Sequence, residues 1–232
     1  ENEEMLPMEA SLFTADSDII GIMKTVIWDF NGTIIDDTQL CLDIENEMLR
    51  ERCMKAGFTM EQYREMFCFP VIDYYYKLGY RFDGEETYDD ISVQFNQEYA
   101  RRFAKCRLIP GFEEKIRESI GKGYQNVIVS ASRQDNLEHQ CEVLGISSCF
   151  QELIGTSDLL AHGKIDRARR WLVQSGVEPE ECLYIGDTTH DMETAEALGI
   201  EDYTLVACGH QSRRHLLEKT DRVVDTLAEV RL

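Results

Sequence analysis

Short runs of β-forming residues alternate with helical patterns over the second half of the chain, and this alternation constrains the fold more than any other feature. The runs are NVIVS (126–130), ELIG (152–155), CLYIGD (182–187), YTLVAC (203–208) and RVV (222–224). Between them, apolar residues recur at helical spacing, as at Phe112, Ile116 and Ile120. Alternation of this kind is typical of parallel strands joined by crossover helices. The sequence therefore predicts an α/β fold.

An earlier run, KTVIWDF (24–30), is apolar on both faces, which is the pattern of a central strand in a parallel sheet. The segment 37–107 breaks the alternation, because its apolar residues follow helical spacing only. We therefore predict a Rossmann-like parallel sheet flanked by helices, with an all-helical cap inserted after the first strand. The predicted core comprises residues 23–36 and 108–232, and the predicted cap comprises residues 37–107. Residues 1–22 are assigned to an N-terminal extension of natural or artificial origin.

The charge of the chain limits its partners. The formal net charge is −20 over 232 residues, and 43% of the residues are hydrophobic. Such a chain can bury a core, and its surface repels nucleic acid and anionic membranes. We therefore expect neither as a partner. If the protein binds phosphate, a metal ion, a lysine or backbone N–H groups must compensate the negative charge locally.

The cysteines and the apolar runs indicate the compartment. The chain has eight cysteines and no C-x-x-C pair, which favours reduced thiols over disulfides or a zinc cluster. No apolar run is long enough to span a bilayer. The acidic N-terminus lacks the pattern of a secretory signal. We predict a cytoplasmic protein.

Polar clusters follow the ends of the predicted strands, where ligands bind in open α/β sheets. The first cluster is Asp29 with Asn31, Gly32 and Thr33, and the second is Ser130 with the neighbouring N–H of Ala131, with Ser132 as an alternative hydroxyl. Lys164 opens a predicted helix, and GDTTHD supplies Asp187 and Asp191. These clusters are expected to meet at one edge of the sheet.

The residue types in these clusters suit phosphoryl transfer. Asp29 and Asp187 offer hard oxygens of the kind that Mg²⁺ prefers. Gly32 allows a sharp turn that aims N–H groups at an anion. Lys164 supplies a fixed positive charge, and Asp191 lies one helical turn beyond Asp187. A carboxylate, a divalent cation, a lysine and hydroxyl donors together describe phosphoryl transfer to an aspartate.

In these four motifs, DFNGT, Ser130, Lys164 and GDTTHD, the chain resembles the haloacid dehalogenase-like superfamily, in its phosphoglycolate phosphatase-like branch with a small helical cap. The resemblance implies a phosphatase acting on a small phosphorylated metabolite, with Mg²⁺ as cofactor and Asp29 as nucleophile. It also implies the metal ligands and the phosphate-binding residues. The implied metal ligands are Asp29, the carbonyl of Asn31, Asp187 and, directly or through water, Asp191. The implied phosphate-binding residues are Thr33, Ser130, Ala131 and Lys164.

Asn31 departs from the pattern of the family, which usually has a second aspartate there as general acid and base. An amide cannot exchange that proton, and losing a general acid–base costs on the order of 10²–10⁴ in rate. We favour a phosphatase that tolerates Asn31, either by acting on leaving groups that need little protonation, such as acyl or aryl phosphates, or by borrowing an acid from the cap or from His190. Two alternatives stay open. One is a phosphonate hydrolase that uses Lys55 or Lys77 of the cap, and the other is a non-catalytic protein that binds a phosphorylated ligand.

Several side chains near these motifs receive simpler interpretations. His162, His190 and His210 are predicted to lie on the surface. Asp36 and Asp37 are predicted to be an N-cap and a hinge acid where the cap begins. The run of tyrosines at 74–76 is assigned to the core of the cap, although one of them or Phe69 could face the substrate.

Overall fold

The computed structural model describes residues 24–157 and 164–232, so the prediction for residues 1–22 and His162 lie outside the described residues. The described chain contains a six-stranded parallel sheet with the order β5-β4-β1-β6-β7-β8. These strands are β1 (Thr25–Trp28), β4 (Gln125–Arg133), β5 (Glu152–Thr156), β6 (Cys182–Gly186), β7 (Asp202–Val206) and β8 (Val223–Val224). The prediction of a parallel α/β sheet is confirmed.

Strand β1 lies inside the sheet, between β4 and β6, and is buried on both faces. Its last residue, Trp28, pairs with Ile128 of β4 on one side and with Ile185 of β6 on the other. All four residues of β1 are fully buried. Since the three strands are parallel and in register, their carboxyl ends lie at the same edge of the sheet, next to Asp29.

Helices cover both faces of the sheet. They are α5 (Phe112–Gly121), α6 (Gln134–Val143), α7 (Lys164–Ser175), α8 (Thr189–Leu198) and α9 (Arg213–Leu217). Side chains of β1 alternate between two apolar clusters. Val26 and Trp28 belong to one, and Ile27 belongs to the other with Val127 and Tyr184. This alternation is the reason why a strand between two helical layers is apolar at every position.

A helical insert lies between β1 and α5. Its helices are α1 (Thr38–Glu51), α2 (Met60–Met66), α3 (Val71–Leu78) and α4 (Tyr88–Arg102). Thr59 and Thr87 begin α2 and α4 with capping boxes, since each accepts from a backbone N–H three residues on. The large apolar side chains of the insert, such as Met48 and Ile91, continue the cluster that contains Trp28.

The insert joins the sheet through a two-stranded antiparallel ribbon that the sequence does not predict. Its strands are β2 (Ile35–Asp36) and β3 (Arg107–Leu108), with Asp36 opposite Arg107. The ribbon therefore carries both chain crossings between the sheet and the helices. The division into core and cap at residues 37 and 107 stays a prediction.

Two further observations bear on the chemistry of the molecule. All eight cysteines are free, as the sequence predicts, although Cys53 is exposed. In the described ranges, 24–157 and 164–232, every helix is too short or too polar to cross a bilayer.

Candidate active site

Asp29 lies at the carboxyl end of the central strand, where the chain turns into residues 30–33. Its backbone N–H donates to the Ile185 carbonyl of β6 at 2.8 Å. The Lys164 ammonium, at the start of α7, donates to Asp29 Oδ1 at 2.6 Å and to Asp191 Oδ1 at 2.8 Å. Lys164 is 3% exposed. The structure thus brings a buried positive charge against the proposed nucleophile.

Three buried carboxylates converge beside Lys164. One oxygen atom from each of Asp29, Asp187 and Asp191 lies within 4.8 Å of the others. Burial and then the charge of Asp191 raise the pKa of Asp29 well above its usual range, and burial raises the pKa of Asp187 to about 7. Although burial acts in the opposite direction, Lys164 lowers the pKa of Asp191. The cluster holds more negative charge than one lysine neutralises, and its hard oxygens suit a divalent cation.

Asp191 also caps the helix that follows β6. Its Oδ2 accepts hydrogen bonds from the backbone N–H groups of Asp187 at 3.2 Å and Thr188 at 3.0 Å, and from the Thr188 hydroxyl at 2.7 Å. Its Oδ1 is shared with Lys164. The predicted contact of Asp191 with a metal ion would therefore use Oδ1 or a bridging water.

The turn after Asp29 packs closely against Asp187. Gly32 has a φ of 75°, and a Cβ atom at this position would overlap the carboxylate of Asp187 and the ring of His210. The Thr33 hydroxyl donates to Asp187 Oδ1 at 3.2 Å, and the His210 backbone N–H donates to Asp187 Oδ2 at 2.6 Å. Glycine is required at position 32 both for its backbone angle and for this close approach.

The amide of Asn31 lies in a network with three side chains. Its Nδ2 donates to Asp37 Oδ2 at 2.8 Å and to the Tyr99 hydroxyl at 2.9 Å, and its Oδ1 accepts from the Ser132 hydroxyl at 2.9 Å. The Tyr99 hydroxyl donates to the same Asp37 oxygen at 2.8 Å. An aspartate at position 31 would place a second carboxylate against Asp37. The network therefore accounts for an amide at this position.

Asp37 forms a buried ion pair with His210. Asp37 Oδ1 lies 3.2 Å from His210 Nε2, and the Tyr63 hydroxyl lies 2.7 Å from His210 Nδ1. Against the effect of burial, Asp37 raises the pKa of His210 to about 9, and His210 lowers the pKa of Asp37. Both groups are therefore charged at neutral pH.

Two sequence interpretations change at this ion pair. The prediction that His210 lies on the surface is wrong, because the loop after β7 carries it beneath the insert, where its ring centroid is 5.0 Å from that of Phe67. Asp37 does precede α1, as predicted. Its side chain accepts from the backbone N–H of Gly32 at 3.0 Å and leaves the described first turn of α1 without a side-chain cap.

The two serines at the end of β4, Ser130 and Ser132, make different contacts. Ser130 is buried, and its hydroxyl accepts from the backbone N–H of Ser132 at 3.0 Å. Ala131 and Ser132 line the cavity above Asp29. Ser130 therefore orders the backbone that faces the cavity, while the hydroxyl of Ser132 holds Asn31.

One cavity extends from these residues into the helical insert. Its volume is ≈ 1050 Å³ with the open mouth included. Its floor carries Asp29, Asp187 and Lys164, and the insert supplies an aromatic wall. The rings of this aromatic wall are Tyr63, Phe67, Phe69, Tyr74, Tyr75, Tyr88, Phe95 and Tyr99. The wall includes Phe69 and two tyrosines of the run at 74–76, whereas Tyr76 is 42% exposed.

The two lysines considered for phosphonate chemistry lie elsewhere on the insert. Both Lys55 and Lys77 are exposed. Lys77 Nζ donates to the Met66 carbonyl at 3.0 Å, and Lys55 Nζ lies 5.5 Å from the centroid of the Phe58 ring. Within the part of the chain that the structure describes, Lys164 is the lysine that lines the cavity.

The cavity is lined by six of the predicted site residues, Asp29, Asn31, Ala131, Lys164, Asp187 and Asp191. Gly32 and Thr33 contact Asp187 instead, and Ser130 is hydrogen-bonded to the backbone of Ser132.

His190 is half-buried, and its ring stacks on that of Phe69 with centroids 4.4 Å apart. Sequence reasoning missed His210 and Tyr99 as members of the site, whereas Ser132 was an alternative to Ser130. The one signal in the sequence for these contacts was the amide at position 31, because an amide in place of the usual acid indicates a neighbouring side chain that pairs with it.

Comparisons with known proteins match the chain to one family. A family model described as haloacid dehalogenase-like hydrolase matches residues 26–204. Phosphoglycolate phosphatase 1 of Pseudomonas aeruginosa is 24% identical over 149 residues, which are 63% of this chain and 54% of that protein. Pyrophosphatase PpaX of Listeria innocua is 25% identical over 190 residues, which are 76% of this chain and 80% of that protein.

A solved structure shares the fold. The crystal structure of CbbY from Rhodobacter sphaeroides in complex with xylulose-(1,5)bisphosphate superposes with a TM-score of 0.67. It is 19% identical in sequence, and the match covers 89% of this chain and 96% of that chain. At this identity the likeness shows the fold. The chain also spans only about half the length of the Pseudomonas relative.

Proposed function

The chain belongs to the haloacid dehalogenase-like hydrolase family, and from that premise we propose that it is a magnesium-dependent phosphatase that forms an aspartyl-phosphate on Asp29. The observation that carries the proposal is the buried cluster of Asp29, Lys164, Asp187 and Asp191 at the floor of a cavity. A nucleophilic carboxylate, a fixed ammonium and a further pair of hard oxygen donors at one point are the parts that phosphoryl transfer requires.

Asp29, Asp187 and the main-chain carbonyl of Asn31 would hold Mg²⁺, with Asp191 contributing directly or through water. The fit rests on three buried carboxylates that face one lysine. Burial, and with it the charge of Asp191, raises the pKa values of Asp29 and Asp187, and a bound cation would offset both effects. When bound, the ion would neutralise charge on the transferring phosphoryl group. The carbonyl of Asn31 does not depend on the side chain, so the amide leaves this ligand intact.

The residues of the chain itself would bind the phosphoryl group and carry out the displacement. Lys164 and the N–H of Ala131, which line the cavity, would hold its oxygens, and the hydroxyls of Thr33 and Ser130 would assist from the buried shell beside them. A carboxylate oxygen of Asp29 then bonds to phosphorus while the bond to the leaving oxygen breaks. Water hydrolyses the resulting aspartyl-phosphate, which restores the carboxylate and releases inorganic phosphate.

Asn31 limits the leaving group. Its amide cannot donate a proton, so the reaction favours leaving oxygens that are stable without one. Acyl and aryl phosphates meet this condition. A phosphoanhydride meets it too, and the relative named as a pyrophosphatase supports including that class. Lys55 and Lys77 are exposed on the insert, which argues against the phosphonate alternative.

The partner would be a small phosphorylated metabolite in a reducing compartment such as the cytoplasm, which the eight free cysteines favour. The test is a screen of acetyl phosphate, nitrophenyl phosphate, pyrophosphate and propyl phosphate, with Mg²⁺ and with EDTA. We expect Mg²⁺-dependent release of phosphate, slowest from the propyl ester, and its loss in Asp29→Asn. Phosphate binding without turnover of any ester would overturn the proposal in favour of a binding protein.

A further inference from the structure

A buried carboxyl group lies at the end of the cavity remote from Asp29. Glu45 of α1 is 3% exposed and lines the same cavity as Asp29. Within the described residues, its Oε2 has no hydrogen-bond partner. A buried carboxyl oxygen without a partner costs free energy, and such groups are rare in native proteins. A bound molecule that places a hydrogen-bond donor at this end of the cavity would therefore satisfy the free oxygen of Glu45.

Helix α1 fixes the distance between this carboxyl group and the reacting end. Asp37, Cys41 and Glu45 follow each other at four-residue spacing, so they share one face of the helix, and all three line the cavity. A rise of about 1.5 Å per residue places Glu45 about 12 Å along the helix from Asp37. Asp37 itself lies 2.8 Å from the amide of Asn31. A molecule bound at Asp29 must extend on the order of 10 Å to reach Glu45.

The wall near Glu45 is aromatic. Tyr74 and Tyr75 lie close to Glu45, and Tyr88 and Phe95 line the same cavity. Burial raises the pKa of Glu45 to about 8, with smaller opposing effects from the Tyr75 hydroxyl and from the charge of Arg52. Aromatic faces attract cations, and a cation beside Glu45 would supply the missing donor and add to the positive charge of Arg52.

We infer that the substrate carries an elongated apolar or aromatic leaving group with a protonated amine at its far end, and that Glu45 binds this amine. The inference rests on the proposed function, because it describes the alcohol part of the ester that Asp29 attacks. It also sets a length, since esters of two or three carbons do not reach Glu45. The specificity of the site then resides in α1 of the insert.

Two pairs of matched esters test the inference. The long pair is para-(aminopropyl)phenyl phosphate and para-butylphenyl phosphate, which have the same number of heavy atoms and similar phenol leaving groups. The short pair is aminoethyl phosphate and propyl phosphate. Each is assayed with the parent protein, with Glu45→Leu and Glu45→Gln, and with Asp43→Asn, which changes an exposed acid on the same helix. Thermal unfolding of each variant establishes that it is folded.

For the parent protein we expect a kcat/KM roughly 10- to 100-fold higher for the long amine than for the butyl ester, expressed mainly in KM, as a charge-assisted hydrogen bond allows. Both Glu45 variants should lose most of this preference, and Asp43→Asn should keep it. The short pair should show no preference that depends on Glu45. Equal kcat/KM for the long pair, or a preference that survives in Glu45→Leu, overturns the inference.

A binding experiment distinguishes failure of the proposed function from failure of the inference about Glu45. If none of the esters is hydrolysed, calorimetric titration of the long pair into the parent protein and Glu45→Leu, with Mg²⁺ present, measures the same contact. Tighter binding of the amine that depends on Glu45 would support the inference while the phosphatase proposal falls. Equal binding of the two esters would remove the inference as well.

Discussion

Replacing Asn31 by aspartate tests the network around Asp37, because the substitution changes an amide donor into an acid at the same place. In the parent protein the Asn31 amide is 2.8 Å from Asp37 Oδ2. In Asn31→Asp two carboxylates would occupy these positions, both largely shielded from water. We expect the variant to fold less stably at neutral pH and to regain stability as the pH falls.

The magnitude follows from the distance. Two unit charges about 3 Å apart repel by roughly 6 kcal/mol at an effective dielectric constant of about 20. The folded protein avoids this repulsion if one of the two acids keeps its proton. For a carboxyl group with an ordinary pKa near 4, remaining protonated at pH 7 costs about 4 kcal/mol, which is less than the repulsion. The charge on His210 offsets part of this cost. We expect a net loss of about 2–4 kcal/mol, or a fall in Tm on the order of 5–15 °C.

The sign of the pH dependence is fixed by the same argument. The shared proton raises the pKa of the acid pair in the folded state above its value in the unfolded chain. Relative to the parent, the contribution of this shared proton to the stability of Asn31→Asp is therefore fully present below about pH 4 and is lost as the pH rises through the raised pKa. Asn31→Ala, which removes the amide without adding a charge, should lose stability without this additional slope.

Unfolding by urea at several pH values, with EDTA present so that no cation bridges the acids, gives the free energies. The double variant Asn31→Asp with Asp37→Asn exchanges the acid and the amide, and it should recover about 1–3 kcal/mol of coupling energy. An Asn31→Asp variant as stable as the parent at pH 8, or a double variant without recovery, would refute the geometry described for Asp37.

The same substitution has a catalytic readout. A carboxyl group that retains its proton can protonate a leaving oxygen. We therefore expect Asn31→Asp to raise the turnover of propyl phosphate more than that of nitrophenyl phosphate. Equal effects on the two esters would mean that position 31 does not act on the leaving group.

Three further predictions concern the metal, the remote acid and the tyrosine of the network. Mg²⁺ at about 100 times its Kd should stabilise the protein by about 2.7 kcal/mol in thermal unfolding, and Asp187→Asn should reduce this gain. Because burial raises the pKa of Glu45 from 4.5 to about 8, the free energy of unfolding should fall by up to roughly 5 kcal/mol between these pH values. Glu45→Leu should remove that slope in urea titrations, whereas an unchanged slope would contradict the burial of an unpaired acid. Tyr99→Phe removes a hydroxyl that both donates to Asp37 and accepts from Asn31, and it should cost about 1–3 kcal/mol in urea unfolding.

The sheet could be predicted because its signals are local. Continuous apolar runs such as 25–28 and 182–186 are needed wherever helices cover both faces of a strand. The motif residues could be placed because the carboxyl ends of parallel strands meet at one edge. Asp29 and Asp187 are 158 residues apart in the chain, and only this rule brings them together before a structure is known.

The contacts made by the insert could not be predicted in the same way. His210 belongs to the site because α2 packs over the loop after β7, and no periodicity in the sequence encodes that packing. Tyr99 and Glu45 look like ordinary members of amphipathic helices. Asp37 reads as a helix cap because the preference for aspartate before a helix is strong. Its turn toward Gly32 depends on tertiary contacts with Asn31 and His210.

The ribbon of β2 and β3 has a mechanical consequence. It joins the insert to the sheet at both crossings, so any swing of the four helices must be taken up within residues 35–37 and 106–109. Asp37 is the last residue before α1 and also the partner of Asn31 and His210. Displacing the helices would therefore move the Asp37 carboxylate away from Asn31 and leave the charge of His210 without its partner. Admission of a ligand and the ion pair beside Asn31 therefore depend on the same few residues of the ribbon.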